Sequence, residues 1–401
     1  MKVHVGGGAF LVGAVLAAVA VLAVGFFAVL GVPSGVAGPG SAPPAAPPNP
    51  GHSYSQIELP AGTWSGLNAD LLDGLHAGEI RVGRLGFSTT TVDSAGVVGG
   101  DSSVTIGTDG LPVISYEDNS NANLKVAHCG NAACSAGNTV TTVDSAGRGG
   151  SYTSVTIGAD GLPFISYWLF FDRDLKVAHC GNAACTAGNT ITTVDSTGEI
   201  GDFSSATVGV DGLPLISYYD WTNGDLKVAH CGDAACSAGN TITAVDSTGD
   251  VGEYTSVTIG ADGLPVISYY DGTGYHEDLK VAHCGNVYCS AGNTITTVDS
   301  VGPISDVGVY TSVTVGADGL PLISYFDHGN DDLKVARCGN AACSAGNTIT
   351  TVDSTGEVGR DPTVTVGAEG LPVISYLDWN NGDLKVAHCS NRFCIPYHRP
   401  R

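Results

Sequence analysis

An all-β fold, a six-bladed β-propeller, is what this 401-residue sequence predicts, on three observations. Gly-Leu-Pro followed by a short apolar run and Ser-Tyr occurs six times, from Gly110, Gly161, Gly212, Gly263, Gly319 and Gly370, with a period of 51 residues over the first three steps. Each copy is followed by Leu-Lys-Val-Ala-His or -Arg and then Cys, starting at Leu124, Leu175, Leu226, Leu279, Leu333 and Leu384. Four short strand patterns fit each period. A repeat of this length, rich in β-branched runs and turn residues, is one supersecondary unit stacked on itself. Four strands in about fifty residues matches a propeller blade.

The elements follow in chain order. Residues 1–32 are apolar enough and long enough to cross a bilayer, and no Asp, Glu, Lys or Arg falls between Lys2 and Glu58. Gly35-Val36-Ala37 also offers a small-residue cleavage site, so a transmembrane anchor and a cleaved signal peptide both remain open. Either one exports the rest. Residues 33–50, with Pro43-Pro44 and Pro47-Pro48, form an extended Pro-rich linker. Residues 51–86 lie outside the repeat. Their Asn68-Ala69-Asp70-Leu71-Leu72-Asp73-Gly74-Leu75 stretch resembles a short motif of bacterial surface and phage tail proteins, and a short capped helix is the simplest reading.

The repeat region, 87–401, is the propeller. Thr255-Ser256-Val257-Thr258-Ile259 alternates hydroxyl and apolar residues, as a strand does. Ala261-Asp262-Gly263 makes a hairpin turn, and Pro265 opens the second strand, Val266-Ile267-Ser268-Tyr269. Residues 279–284 give the third strand and 295–299 the fourth. Thr/Ala-Val-Asp-Ser also occurs six times, at Thr91, Thr142, Thr193, Ala244, Thr297 and Thr351, yet its first copy precedes the first Gly-Leu-Pro unit and the last unit ends without one. The chain thus begins with the strand its final repeat lacks. Residues 87–94 are therefore expected to complete the last blade and remove both sheet edges.

All twelve cysteines fall in Cys-x4-Cys pairs: Cys129/Cys134, Cys180/Cys185, Cys231/Cys236, Cys284/Cys289, Cys338/Cys343 and Cys389/Cys394. A zinc site needs four converging ligands, whereas here each pair sits alone on its own blade. Local disulfides fit better and require an oxidising compartment, which agrees with export. The formal net charge is −23, nearly all of it in the repeat region, with no basic stripe. Such a surface excludes nucleic acid and anionic lipid as partners.

Gly-Leu-Pro-Val-Ile-Ser-Tyr-Tyr-Asp with a downstream Asp-Leu-Lys-Val-Ala-His resembles a family of repeat-bearing bacterial exported proteins, generally of unknown function, over residues 88–401. That resemblance implies a propeller and little chemistry. Sialidases and propeller lectins share the architecture, but the sialidase Ser-x-Asp-x-Gly-x-Thr-Trp box and an arginine cluster are missing, and no lectin sugar-binding motif matches.

The histidines His128, His179, His230, His283 and His388, with Arg337 in the sixth place, lie one per blade and are read as packing or hydrogen-bonding groups. The lysines from Lys125 to Lys385 are read as snorkelling at an outer strand. Variation between repeats gathers on the rim opposite the Gly-Leu-Pro turns, and binding is usually built on loops of a rigid scaffold. Two groups stand out there. One is aromatic: Trp168, Phe170 and Phe171 in a Trp-Leu-Phe-Phe run, with Tyr152, Phe203, Trp221 and Trp379. It could be a stacking platform for a glycan or an anchor for a surface protein, or it could fold back and plug the channel. The other is acidic: Asp101, Asp118, Asp202, Asp220, Asp271, Asp327, Asp361 and Asp378 could ligate Ca²⁺, or serve only as turn-forming residues. The expected function is an extracytoplasmic binding or adhesion module, lectin-like in character. A purely structural surface repeat protein and a glycan-cleaving hydrolase are the alternatives, the latter needing two carboxylates with split pKa values.

Overall fold

The computed structural model describes residues 89–146, 149–274, 277–300, 302 and 306–395. The apolar segment 1–32, the linker 33–50 and the segment 51–86 lie outside the described residues. Among those described, every regular element is a strand, and the strands form six sheets, over 98–144, 149–195, 200–246, 251–299, 307–353 and 358–388. These are blades one to six. No helix among the described residues is long and apolar enough to cross a membrane.

Blade four shows the plan. Val251–Ile259, Pro265–Asp271, Asp278–His283 and Thr294–Asp299 pair consecutively and antiparallel. The Asp-Gly turn works as its residues require. Gly263 takes a φ of 82°, which glycine adopts freely. Leu264 N–H donates to Asp262 Oδ1 at 3.1 Å, and the other carboxylate oxygen lies 2.8 Å from His283 Nε2. The repeated histidine therefore holds the preceding hairpin turn of its own blade, and Arg337 does the same to Asp318. The second strands are buried along most of their length, as in Pro163–Leu169 and Pro214–Asp220. A strand covered on both faces reads as a continuous apolar run.

The core is distributed between blades. Leu215, Leu226 and Val228 of blade three pack against Val251, Ile267, Tyr269 and Ala282 of blade four, and four equivalent clusters join the other consecutive blades from one to six. The six disulfides are formed as the spacing implied: Cys129–Cys134, Cys180–Cys185, Cys231–Cys236, Cys284–Cys289, Cys338–Cys343 and Cys389–Cys394. Each closes a short ring, worth about 2 kcal/mol in the loop-entropy view.

The lysines do not snorkel. Lys280 Nζ lies 2.7 Å from Asp246 of the preceding blade and 3.3 Å from Asp271 of its own, while Tyr269 Oη donates to the same Asp246 at 2.7 Å. Blades one, three, five and six repeat this arrangement, and blade two repeats it with Asp144 alone because Leu169 replaces the second aspartate. The Asp of Thr-Val-Asp-Ser is thus a staple onto the next blade.

That staple corrects the expected closure of the ring. Residues 87 and 88 lie outside the described residues, residues 90–94 form no strand, and blade six has three strands. Asp93 nonetheless receives Tyr116 Oη at 2.8 Å and Lys125 Nζ at 2.5 Å on blade one, as its siblings do. Among the described residues the N-terminal copy is engaged through its aspartate and not through strand pairing. A seam is left between blades six and one among the described residues. At Gly201, Gly252, Gly308 and Gly359 an added Cβ would strike the preceding blade's leucine within 3 Å, whereas at Gly99 it meets nothing within 4 Å. The leucine that would correspond, Leu384, is 47% exposed, and Val386 is 53% exposed.

Candidate functional site

The variable rim is built by a defect in each innermost strand. Register shifts interrupt the pairing of the first with the second strand in every blade, between Glu253 and Ser256 in blade four and at equivalent places elsewhere. Such bulges re-aim a side chain. The re-aimed residues are Asp101, Tyr152, Phe203, Tyr254, Tyr310 and Asp361, all with φ between 44° and 55°. Left-handed backbone is a strained state for aromatic residues, and strain of this kind concentrates at binding and catalytic sites.

These six residues form an arc around the propeller axis. The ring centroids of Tyr152 and Phe203 are 4.6 Å apart, those of Phe203 and Tyr254 4.4 Å, and those of Tyr254 and Tyr310 4.6 Å. Packed sheets sit about 10 Å apart, so equivalent residues of neighbouring blades approach this closely only where the blades converge. Asp101 ends the arc on one side, accepting the Tyr152 backbone N–H at 3.0 Å, and Asp361 ends it on the other.

The expected aromatic residues join the arc in part. The Trp168 ring lies tilted 6.1 Å from Tyr152, Phe170 lies 5.5 Å from Trp168, and Phe171 lies 5.9 Å from Phe170. Trp221 reaches Phe203 through Tyr219, at 5.8 and 6.4 Å. Trp379 stands apart and stacks on the Arg360 guanidinium at 4.3 Å. The Trp-Leu-Phe-Phe run is not one exposed patch. Trp168 and Leu169 belong to a second strand and are buried, while Phe170 and Phe171 are 51% and 62% exposed. Sequence reasoning missed Tyr254, Tyr310, Tyr219 and Tyr270. The signal that finds the first two is a Gly-x-aromatic triplet at the repeat period: Gly150-Ser151-Tyr152, Gly201-Asp202-Phe203, Gly252-Glu253-Tyr254 and Gly308-Val309-Tyr310.

The eight aspartates expected as Ca²⁺ ligands separate into two sets. Asp118, Asp220, Asp271, Asp327 and Asp378 end second strands, where each lies within 4 Å of the blade's lysine and four of them also bind an asparagine three residues on, as Asp220 binds Asn223. Their charges are already used. Asp101, Asp202 and Asp361 remain at the mouth, and with Glu253 they make the second set. No group of three or more potential metal ligands converges among the described residues.

Burial dominates the electrostatics of this second set. It pushes Asp202 up to about 7, with Glu199 and Glu253 adding repulsion, and Glu253 up to about 7, with Asp250 and Asp306 adding theirs. Asp361 rises to about 6 for the same first reason, and Asp101 also rises. A cleft of about 230 Å³ opens beside the arc, lined by Glu253, Tyr254, Tyr270, Tyr310, Phe326 and Arg360 among others. There Tyr270 Oη donates to Asp306 at 2.7 Å, and His328 Nδ1 lies 2.7 Å from the other oxygen of that carboxylate.

No protein-family model matches this chain, and no curated protein matches it in sequence. Similar folds occur among solved structures. A protein of unknown function from Dyadobacter fermentans aligns with a TM-score of 0.51 and 13% identity, covering 69% of this chain and 89% of that one. An α-L-arabinofuranosidase from Fusarium graminearum aligns at 0.48 and 10% identity, covering 75% and 94%. At 13% identity the first likeness speaks for the fold alone.

Proposed function

We propose that this chain is an extracytoplasmic binding module that takes a glycan on the mouth of its propeller. One observation carries the reading: blades two to five each supply a strained, bulge-borne aromatic residue to a single arc, while the opposite rim repeats almost unchanged. Six disulfides and an acidic surface suit an exported protein. Aromatic faces stack on the apolar faces of sugar rings, and carboxyl groups beside them accept or donate hydrogen bonds to hydroxyls. Phe170, Phe171 and Trp221, exposed at the border, extend the platform outward.

A glycan-array screen in calcium and in chelator tests the reading. Binding is expected in both conditions, because five of the eight rim aspartates are held by lysines. Binding only in calcium would restore a metal site to the mouth, and no binding to any glycan would remove the lectin-like reading.

A hydrolase is the weaker second reading: burial raises Asp202 and Glu253, at equivalent positions of adjacent blades, both to about 7, which supplies a general acid but not the split pair of values a glycosidase uses. A carboxyl group kept protonated near neutrality is what a general acid requires. Mass spectrometry of array hits after incubation would reveal cleavage, and Glu253→Gln should then abolish it.

A further inference from the structure

The two sets of carboxylates at this end of the propeller are treated in opposite ways. Each second-strand aspartate is given a lysine by its own blade. Asp101, Asp202, Glu253 and Asp361 have none: among the described residues no ion pair reaches them, and the arginines within electrostatic range, Arg173 and Arg360, are engaged by Glu199 and Glu357. Asp202 is only 7% exposed, and its Oδ1 has no hydrogen-bond partner. A desolvated carboxylate without a partner either takes up a proton, as burial drives Asp202 and Glu253 to do near neutrality, or needs a counter-charge, which a cationic ligand would supply above that range. Asp202 and Glu253 lie within electrostatic range of Tyr152, and Glu253 shares a cleft with Tyr254 and Tyr310, rings whose faces attract cations.

We propose that the centre of the mouth is a subsite for an organic cation, an alkylammonium group carried by the ligand, held against Tyr152, Phe203, Tyr254 and Tyr310 and countered by Asp202 and Glu253. The rings supply what a metal site would not. A bare divalent ion seeks several oxygen ligands in one small shell, and no such group converges here. A bulky, weakly hydrated ammonium needs only faces and nearby negative charge. The inference rests on the mouth being a binding site and not on the ligand being a glycan.

The test is calorimetric titration of the full chain at about pH 8, above the values to which burial raises both carboxyl groups. Choline is compared with its neutral isostere 3,3-dimethylbutan-1-ol, which has the same shape without the charge. Choline is expected to bind at least about tenfold more tightly. The Asp202→Asn, Glu253→Gln double variant should lose that preference while its melting temperature stays the same or rises. Tyr254→Leu should weaken choline without restoring affinity for the isostere. Equal binding of the two probes, binding of neither, or an unchanged preference in the double variant overturns the proposal. A glycan hit without choline preference would overturn the cation subsite and leave the glycan reading standing. Choline preference without any glycan hit would do the reverse.

Discussion

Trp168 and Phe170 show how adjacent aromatic residues divide between stability and binding. Trp168 is 8% exposed and wedged between Tyr152 and Phe170, while Phe170 turns outward from the end of the strand. Removing a buried aromatic residue costs about 3–5 kcal/mol through lost transfer and cavity terms, whereas an exposed one costs well under about 1 kcal/mol. Trp168→Ala is therefore expected to shift the denaturant midpoint strongly, and Phe170→Ser is expected to leave it nearly unchanged while weakening glycan binding. Equal stability losses would mean that the loop closes over the mouth as a plug. The residue sequence alone presents four large apolar groups in a row. Which of them a strand buries depends on where the hairpin ends, and that boundary is set by pairing with blade neighbours.

Blade elements are joined by aspartate staples whose worth lies in their desolvation. Lys280 sits between Asp246 and Asp271, with Tyr269 on Asp246. Burial pushes the Asp246 carboxyl up, but the Lys280 and Tyr269 hydrogen bonds outweigh it and hold the group below its ordinary value. A folded pKa below the unfolded one means stability that is present at neutral pH and lost as pH falls through the carboxylate range. Lys280→Met should destabilise the protein by about 3–5 kcal/mol at pH 7, since two carboxylates lose their counter-charge. The difference from the parent protein should shrink in acid, where the carboxylates protonate. Urea titrations at several pH values measure it, and a pH-independent loss would assign the effect to packing instead. Part of this element was legible in advance. The six-fold Thr-Val-Asp-Ser pattern pointed to a repeated strand, but a staple between blades involves three residues that are 23 and 34 positions apart in the chain.

Among the described residues the propeller is held by five main interblade cores and a small cluster of Tyr270, Val309 and Phe326 near the mouth, and is interrupted by one seam. Leu226 is fully buried between blades three and four, whereas its counterpart Leu384 is half exposed on blade six. Leu226→Ala is expected to cost about 2–5 kcal/mol and Leu384→Ala less than about 1 kcal/mol, because burial sets the transfer and cavity terms. Thermal or urea unfolding of the two variants measures the difference. Equal losses would mean that blades six and one close on each other in solution, with 87–94 paired as the sequence led us to expect.

Local pattern and period were enough to determine the strands within the six repeats, though not the closing strand expected at 87–94, together with the six-fold repeat, the six disulfides and the side of the propeller on which variation gathers. All of these follow from residues within one fifty-residue unit, or from the same unit compared with itself. The site was only half legible. Tyr152, Phe203 and Phe170 were found as aromatic residues in variable positions, but Asp101 and Asp202 looked alike in sequence and belong to different rings, one residue out of step. A one-residue offset in a strand reverses the direction of a side chain, and a bulge alters it again, so only the folded register could tell them apart. Tertiary structure alone decided which carboxylates receive a lysine and which are left desolvated beside the aromatic arc. That outcome depends on distances between blades, and repeat spacing along the chain carries no record of them.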